Sequence, residues 1–230
     1  MLLSNGNIYL DYNATTPIDP MVLEAMEPFY RSHFGNPSSS HGLGKYNRQA
    51  IDVAREQVAG LLGCSSQNII FTSGGSESNN MALKGVASRS SGRGQHIIVS
   101  MVEHPAILKV VQYLQHQGFR ITYLPVDNQG VVKAGDLEEI ITSKTILVSV
   151  MHANNEIGSI QPINELAEIA HHAGAVFHTD AAQSVGKIPV DVNDLGCDLL
   201  SVAGHKLYAP KGVGAIYIKG GVDLEPLIHG

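Results

Sequence analysis

The feature that most constrains the fold of this chain is a regular alternation of short apolar runs with helix-like segments, from residue 68 to residue 218. The apolar runs have the length and β-branched content of buried strands, and the segments between them repeat apolar residues at helical spacing. This alternation predicts an α/β fold with a seven-stranded, mostly parallel sheet and helices on both faces. The predicted strands are residues 68–72, 95–100, 120–124, 145–151, 175–179, 197–202 and 213–218.

Helices are predicted before and between these strands. The first has Asp19 as its N-cap and Pro20 in its first turn, which is a typical helix start. The link from Lys206 to Gly212 is too short to hold a crossover helix, so the last strand is predicted to be antiparallel. The predicted helices are residues 19–34, 44–62, 77–87, 105–117, 135–141 and 164–173.

The composition describes an ordinary globular protein. The chain has 230 residues, 43% of them hydrophobic and 16% charged, which is enough to build one substantial core. The net charge of −6 and the lack of a basic run give no sign of a nucleic-acid or anionic-membrane partner. There is no signal-peptide pattern and no apolar stretch long enough to span a membrane, so we expect a cytoplasmic protein. Two cysteines argue against a disulfide framework.

Two segments bring a carboxylate and a lysine to strand ends. Asp180 and Lys206 each come directly after an apolar run, so both should lie over the same edge of the sheet. A lysine can hold a carbonyl cofactor as a Schiff base, and an aspartate can keep the ring nitrogen of that cofactor protonated. The pair therefore predicts a site for pyridoxal 5'-phosphate (PLP), an electron sink for amino-acid carbanions.

A glycine-containing turn predicts an anion site. Residues 74–77 follow a predicted strand and open a predicted helix, where free N–H groups and the helix dipole favour an anion. Gly75 allows close backbone approach, and Ser76 adds a hydroxyl. The motif is weak by itself, and it is no Walker A loop because no Gly-Lys-Ser/Thr follows.

Several segments, taken in order along the chain, resemble the cysteine desulfurase family. This family lies in the class V aminotransferase-like group of fold type I PLP enzymes, and the resemblance extends over nearly the whole chain. The fold it implies is the large domain of a fold type I PLP-transferase. The segments that carry the resemblance are residues 9–17, 35–39, 71–80, 103–107, 154–158, 178–183 and 201–206.

The resemblance implies roles for particular residues. Lys206 is the expected Schiff-base residue, with its amine activated by desolvation or by positive neighbours such as His205. His104 is the expected ring-stacking and proton-moving histidine, and it can also cap the helix at Pro105. Family members often carry a serine where this chain has Ala203, so one phosphate contact worth about 1 kcal/mol is missing. The implied cofactor-binding residues are Gly75, Ser76, His104, Asn155, Asp180, Gln183, His205 and Lys206; the implied substrate-binding residues are Asn155, Ala14 and Thr15.

The implied reaction converts L-cysteine to L-alanine and leaves the sulfur as a persulfide on an enzyme cysteine, for iron–sulfur cluster assembly or thiolation. The resemblance further implies a homodimer and a sulfur-acceptor or iron–sulfur scaffold partner. It divides the chain into an N-terminal arm at 1–15 and a PLP-binding large domain at 16–230, with the small C-terminal domain absent and the persulfide cysteine expected beyond Gly230. Cys64 and Cys197 are expected to be small buried side chains, not reactive thiols.

Other interpretations stay open from the sequence. A selenocysteine lyase has a nearly indistinguishable cofactor half, and a catalytically silent PLP-binding or dimerisation fragment is a further alternative. A His/Asp metallohydrolase using His178 and Asp180 lacks an evident third ligand. Lys187 and the pair at 171–172 are expected to be solvated.

Overall fold

A computed structural model describes residues 6–90, 92 and 94–229, so the first residues of the predicted arm and Gly230 lie outside the described residues. Its centre is one seven-stranded sheet with the strand order β1-β7-β6-β5-β4-β2-β3. All seven predicted strands are confirmed, each within two residues at either end. The strands are β1 Ile69–Thr72, β2 His96–Ser100, β3 Arg120–Leu124, β4 Thr145–Ser149, β5 Val176–Asp180, β6 Leu199–Ala203 and β7 Gly214–Ile218.

The sheet is mostly parallel, as predicted. Strands β3, β2, β4, β5 and β6 pair in parallel, while β7 is antiparallel to both of its neighbours, β6 and β1. Strand β1 therefore runs in the same direction as β6. The carboxyl ends of six strands consequently meet at one edge of the sheet, which is where α/β proteins place their ligand sites.

The predicted helices are also confirmed, with small shifts of their ends. The first begins as predicted, because the carboxylate of Asp19 accepts a hydrogen bond of 2.8 Å from the N–H of Met21. A four-residue helix, α7, was not predicted because it is too short to show a helical period. The helices are α1 Pro20–Arg31, α2 Gly42–Leu62, α3 Gly75–Arg89, α4 Pro105–His116, α5 Ala134–Ile140, α6 Ile163–His172 and α7 Val192–Leu195.

Helices cover both faces of the sheet. Ile97 of β2 packs in an apolar cluster with α3 and α4, whereas its neighbour Ile98 packs in a second cluster with α2, α5 and α6. Strands β2, β4 and β6 are buried at every position, which explains why their sequences are apolar without alternation. Of the helices in the described part of the chain, none combines the length and apolar character needed to cross a bilayer.

Candidate active site

A cleft of about 720 Å³ opens at the carboxyl edge of the sheet. The loops that follow β1, β2, β4, β5 and β6 supply its walls, together with part of the N-terminal segment. Five loops that are distant in sequence thus converge on one space. The cleft lining includes every predicted site residue except Thr15, namely Ala14, Gly75, Ser76, His104, Asn155, Asp180, Gln183, His205 and Lys206.

Lys206 and Asp180 face this cleft from neighbouring strands. Asp180 is the last residue of β5, and Lys206 lies in the 3-10 turn Gly204–Lys206 directly after β6. Burial lowers the pKa of Lys206 below its ordinary value, although the carboxylate of Asp180 opposes the shift. Among the described residues, none forms a hydrogen bond with the amine of Lys206. A partly desolvated amine without a partner is suited to nucleophilic attack on a carbonyl.

The structure corrects the expected role of His205 in activating Lys206. Burial lowers the pKa of His205, and the cations of Lys206 and Lys211 lower it further, so the imidazole is neutral near pH 7. His205 is instead held by the N-terminal segment. Its Nδ1 lies 3.1 Å from Oγ1 of Thr15, and its carbonyl accepts a hydrogen bond of 3.0 Å from Oγ1 of Thr16. Thr15 therefore contacts His205 rather than the cleft.

His104 both caps a helix and lines the cleft. It is the N-cap of α4, and its Nδ1 accepts a hydrogen bond of 3.1 Å from the N–H of Ala106. Burial lowers the pKa of His104, so the ring is neutral near pH 7 and its single proton lies on Nε2. The helix cap thus fixes the tautomer that His104 presents at the cleft.

The start of α3 lies at the cleft wall and could hold an anion. The helix begins at Gly75, and the N–H groups of its first three residues have no intrahelical acceptor. Gly74 has φ +150° and ψ 178°, a conformation that is nearly restricted to glycine. A Cβ atom on Gly75 would lie 3.2 Å from Cβ of Ala203, so glycine lets the helix start against the end of β6. The carboxylate of Glu77 accepts a hydrogen bond of 2.7 Å from the N–H of Ser73.

Gln183 connects the cleft to two other segments. Its Nε2 donates a hydrogen bond of 2.8 Å to the carbonyl of Asn13, and its Oε1 accepts one of 2.7 Å from Nζ of Lys187. The side chain of Asn13 also donates to the carbonyl of Asn155 at 3.2 Å. Lys187 is exposed, as predicted, but its amine also contacts the cleft residue Gln183. The spacing of four residues between Gln183 and Lys187 was the signal in the sequence that could have shown this.

Asn79 and Glu103 are buried polar residues that the sequence analysis missed. Asn79 lies three residues after Ser76 on α3, and its Nδ2 donates a hydrogen bond of 2.8 Å to Oδ2 of Asp180. Its Oδ1 is buried and has no partner among the described residues. This helical spacing could have revealed Asn79.

Glu103 had no such signal, since glutamate is usually exposed. Its Oε1 accepts hydrogen bonds of 2.6 Å from both the hydroxyl of Ser100 and the N–H of Met151, while Oε2 is buried with no partner among the described residues. Burial raises the pKa of Glu103 to about 8. The loop that carries His104 is thereby joined to the loop that follows β4.

The two cysteines lie away from the cleft. Cys197 is buried, and burial raises the pKa of its thiol to about 12. Cys64 is partly buried, and burial raises the pKa of its thiol as well. Both thiols are free and neither lines the cleft. A raised thiol pKa means little thiolate near neutral pH. The expected burial is therefore found for Cys197, whereas Cys64 is buried only in part.

His178 is fully engaged within the sheet. Its Nδ1 lies 2.8 Å from the hydroxyl of Ser149, and its Nε2 lies 3.0 Å from the hydroxyl of Ser201. Burial lowers the pKa of His178 to about 4. The metallohydrolase interpretation thus loses the free imidazole on which it depended. Ser201 is also occupied by this contact, so its hydroxyl does not replace the serine missing at Ala203.

The cleft residues fit a phosphorylated pyridine that carries an aldehyde. The start of α3 offers N–H groups to a phosphate, Asp180 offers a buried carboxylate to a ring N–H, and Lys206 offers a free amine to the aldehyde. The unpartnered Oδ1 of Asn79 indicates that the buried polar groups of this wall are not all satisfied within the described residues.

Comparison with known proteins agrees with this geometry. The family model of aminotransferase class-V proteins matches residues 8–230. The chain belongs to the class-V aminotransferase family. It is 57% identical over 223 residues to cysteine desulfurase IscS of Dictyoglomus turgidum, covering 97% of this chain and 57% of that protein. It is 50% identical over 226 residues to cysteine desulfurase IscS of Methanosarcina thermophila, covering 98% of this chain and 56% of that protein. The chain thus spans little more than half the length of these curated relatives.

Solved structures of similar proteins have the same fold. A NifS-like protein is 45% identical with a TM-score of 0.94, covering 97% of this chain and 62% of that chain. SspA, whose structure was solved in complex with cysteine, has 42% sequence identity to this chain and a TM-score of 0.94. The match covers 97% of this chain and 65% of that chain. These similar structures confirm the predicted mostly parallel α/β fold.

Proposed function

We propose that this chain is the cofactor-binding part of a PLP-dependent cysteine desulfurase, which converts L-cysteine to L-alanine and leaves the sulfur as an enzyme-bound persulfide. The observation that carries the proposal is that Lys206 and Asp180 face one cleft beside the open N-terminus of α3. Relatives named cysteine desulfurase support the choice of substrate. The proposed organisation is an arm at 1–15 followed by a large domain at 16–230.

The proposal assigns each end of the cofactor to residues of the cleft. Gly75, Ser76 and His205 would hold the phosphate, and the carboxylate of Asp180 would accept a hydrogen bond from the ring nitrogen. Gln183 would donate a hydrogen bond to the phenolic oxygen of the ring. When bound, PLP supplies an electron sink for negative charge at the α-carbon of an amino acid.

Proton movement would fall to two side chains of the cleft. The amine of Lys206 would hold the aldehyde of the cofactor, and the same amine, when free, would accept the proton from the substrate α-carbon. His104 would pack on the ring and offer the proton on its Nε2. Asn155 and Ala14 lie on the substrate side, where the amide of Asn155 is available to the substrate carboxylate.

The sulfur-accepting thiol is not Cys64 or Cys197, because neither lines the cleft and burial raises the pKa of both. We therefore expect this chain alone to bind PLP and to activate the α-carbon of cysteine without completing sulfur transfer. The same observation favours a second candidate, a silent PLP-binding or dimerisation module. A cytoplasmic homodimer that passes sulfur to an iron–sulfur scaffold protein is the wider setting of the proposal.

Exchange of the α-proton separates the two candidates. The PLP-loaded chain is incubated with L-cysteine in D₂O, and deuterium at the α-carbon is followed by NMR. The desulfurase proposal expects incorporation by the wild-type chain and none by Lys206→Ala. A chain that binds PLP without incorporating deuterium into cysteine is a silent module, and that result overturns the proposed activity.

A further inference from the structure

The amide of Gln183 is fixed in one orientation by contacts on opposite sides. We propose that Lys187 is a positioning residue that keeps the Gln183 amide turned with its N–H groups toward the cleft, so that this wall can only donate a hydrogen bond. The inference rests on the proposed function in one respect, namely that the acceptor it serves is an anionic oxygen of bound PLP.

The two contacts dictate the orientation through their chemistry. The ammonium of Lys187 has donors only, and it lies 2.7 Å from Oε1 of Gln183. The carbonyl of Asn13 is an acceptor only, and Nε2 of Gln183 lies 2.8 Å from it. A flipped amide would set two donors against each other on one side and two acceptors on the other. Only one orientation satisfies both neighbours.

One N–H of Gln183 remains for the cleft. Its Nε2 carries two protons, and Asn13 accepts one of them. The side chain of Gln183 is buried and lines the cleft. The second N–H of its amide is therefore the hydrogen-bond donor that Gln183 offers to a ligand in the cleft. The positive charge of Lys187 at Oε1 polarises the amide and strengthens the N–H as a donor.

The turn that carries Lys187 is held close to the lysine loop. Gly186 adopts φ +75°, and a Cβ atom there would lie 2.6 Å from Cδ2 of Leu207. The turn therefore packs against the residue that follows Lys206, which brings the Lys187 amine back over Gln183. Partial burial of the amine and the nearby Lys206 ammonium lower the pKa of Lys187. Lys187 is exposed overall, although its amine forms the hydrogen bond to Gln183.

The orientation can be tested in the chain without cofactor. We expect the side-chain NH₂ protons of Gln183 to exchange with water about fivefold faster in Lys187→Met than in the wild type, as measured by ¹⁵N–¹H NMR at pH 7. Lys187→Arg should keep the slow exchange, because a guanidinium also only donates. Lys144→Met is the matched control, since Lys144 is an exposed lysine at the opposite edge of the sheet. Equal exchange in Lys187→Met and the wild type would overturn the inference.

A second readout uses the PLP-loaded chain. A weaker donor at Gln183 stabilises the anionic oxygen less, so the pH midpoint of the visible cofactor band should rise by about one unit in Lys187→Met. Lys187→Arg should restore the wild-type midpoint, and an unchanged midpoint in Lys187→Met would contradict the inference. The amide-proton exchange measurement needs no PLP. If the wild-type chain failed to bind PLP, the proposed function would be overturned. The positioning role of Lys187 would then still be decided by the exchange rates of the Gln183 amide protons.

Discussion

Asn79 donates a hydrogen bond of 2.8 Å to the buried carboxylate of Asp180. Asn79 lies on α3, and the same helix begins at the proposed phosphate site. One rigid element therefore contacts the carboxylate at the end of β5 and also provides the N–H groups for an anion. The distance between these two sites is fixed by three residues of helix, from Ser76 to Asn79. A ligand that engages both must match that spacing.

Removal of the Asn79 amide should weaken PLP binding. In Asn79→Ala the carboxylate of Asp180 loses a buried donor, which costs about 2 kcal/mol or roughly a thirtyfold rise in Kd. Absorbance titration with PLP measures the change. Ser88→Ala, an exposed substitution near the other end of α3, is the matched control. Equal PLP affinity in Asn79→Ala and Ser88→Ala would show that Asp180 needs no support from α3.

Glu103 should make stability depend on pH. Its pKa is about 8 in the folded chain, against an ordinary value of 4.5. Between pH 4.5 and about pH 8, folding is therefore accompanied by uptake of a proton at Glu103. The stability that neutral Glu103 contributes is fully present below pH 4.5 and is lost as the pH rises through about 8. Glu103→Gln cannot ionise and keeps an acceptor oxygen for Ser100 and Met151.

Urea unfolding at pH 5 and pH 8.5 measures this difference. We expect Glu103→Gln to exceed the wild type by about 3 kcal/mol at the higher pH and to match it closely at the lower pH. Glu138→Gln, which changes an exposed glutamate, should show no such pH dependence. A Glu103→Gln chain that is less stable than the wild type at both pH values would mean that the carboxylate is needed in its ionised form.

Ala203 offers a gain-of-affinity test. It is buried at the cleft beside the start of α3, and a hydroxyl there would add one donor to the phosphate site. Ala203→Ser should lower the Kd for PLP about fivefold, which corresponds to about 1 kcal/mol. The affinity for pyridoxal, which has no phosphate, should not change. If the affinities for PLP and for pyridoxal rise equally in Ala203→Ser, the added hydroxyl does not act on the phosphate, and the expectation is contradicted.

The thiols should be slow to react. Because burial raises the pKa of Cys197 to about 12, iodoacetamide at pH 7.5 should alkylate it far more slowly than free cysteine. Mass spectrometry of the folded chain over time checks this rate. Rapid labelling of Cys197 in the folded chain would reopen the possibility that it accepts sulfur.

Much of the fold follows from patterns that are local in the sequence. Each buried strand is a short run of apolar residues, and polar residues such as Asp180 and Lys206 come directly after such runs, so the edge of the sheet that carries the cleft was predictable. The antiparallel β7 was also predictable, since the preceding link is too short for a helix.

The missed features depend on contacts between distant segments. Gln183 and Asn13 are 170 residues apart, and nothing in either segment alone indicates that they meet. The burial of Glu103 arises from the packing of β2 beside β4, against the usual exposure of glutamate. His205 was expected to be a positive neighbour of Lys206, but burial keeps it neutral.

The central claim is that Lys206 holds PLP covalently in this cleft. The most direct measurement is borohydride reduction of the PLP-incubated chain, followed by peptide mass spectrometry to locate the pyridoxyl label. We expect a visible absorption band that reduction abolishes, and one label that maps to Lys206. A label spread over exposed lysines such as Lys144, or no band at all, would contradict the account.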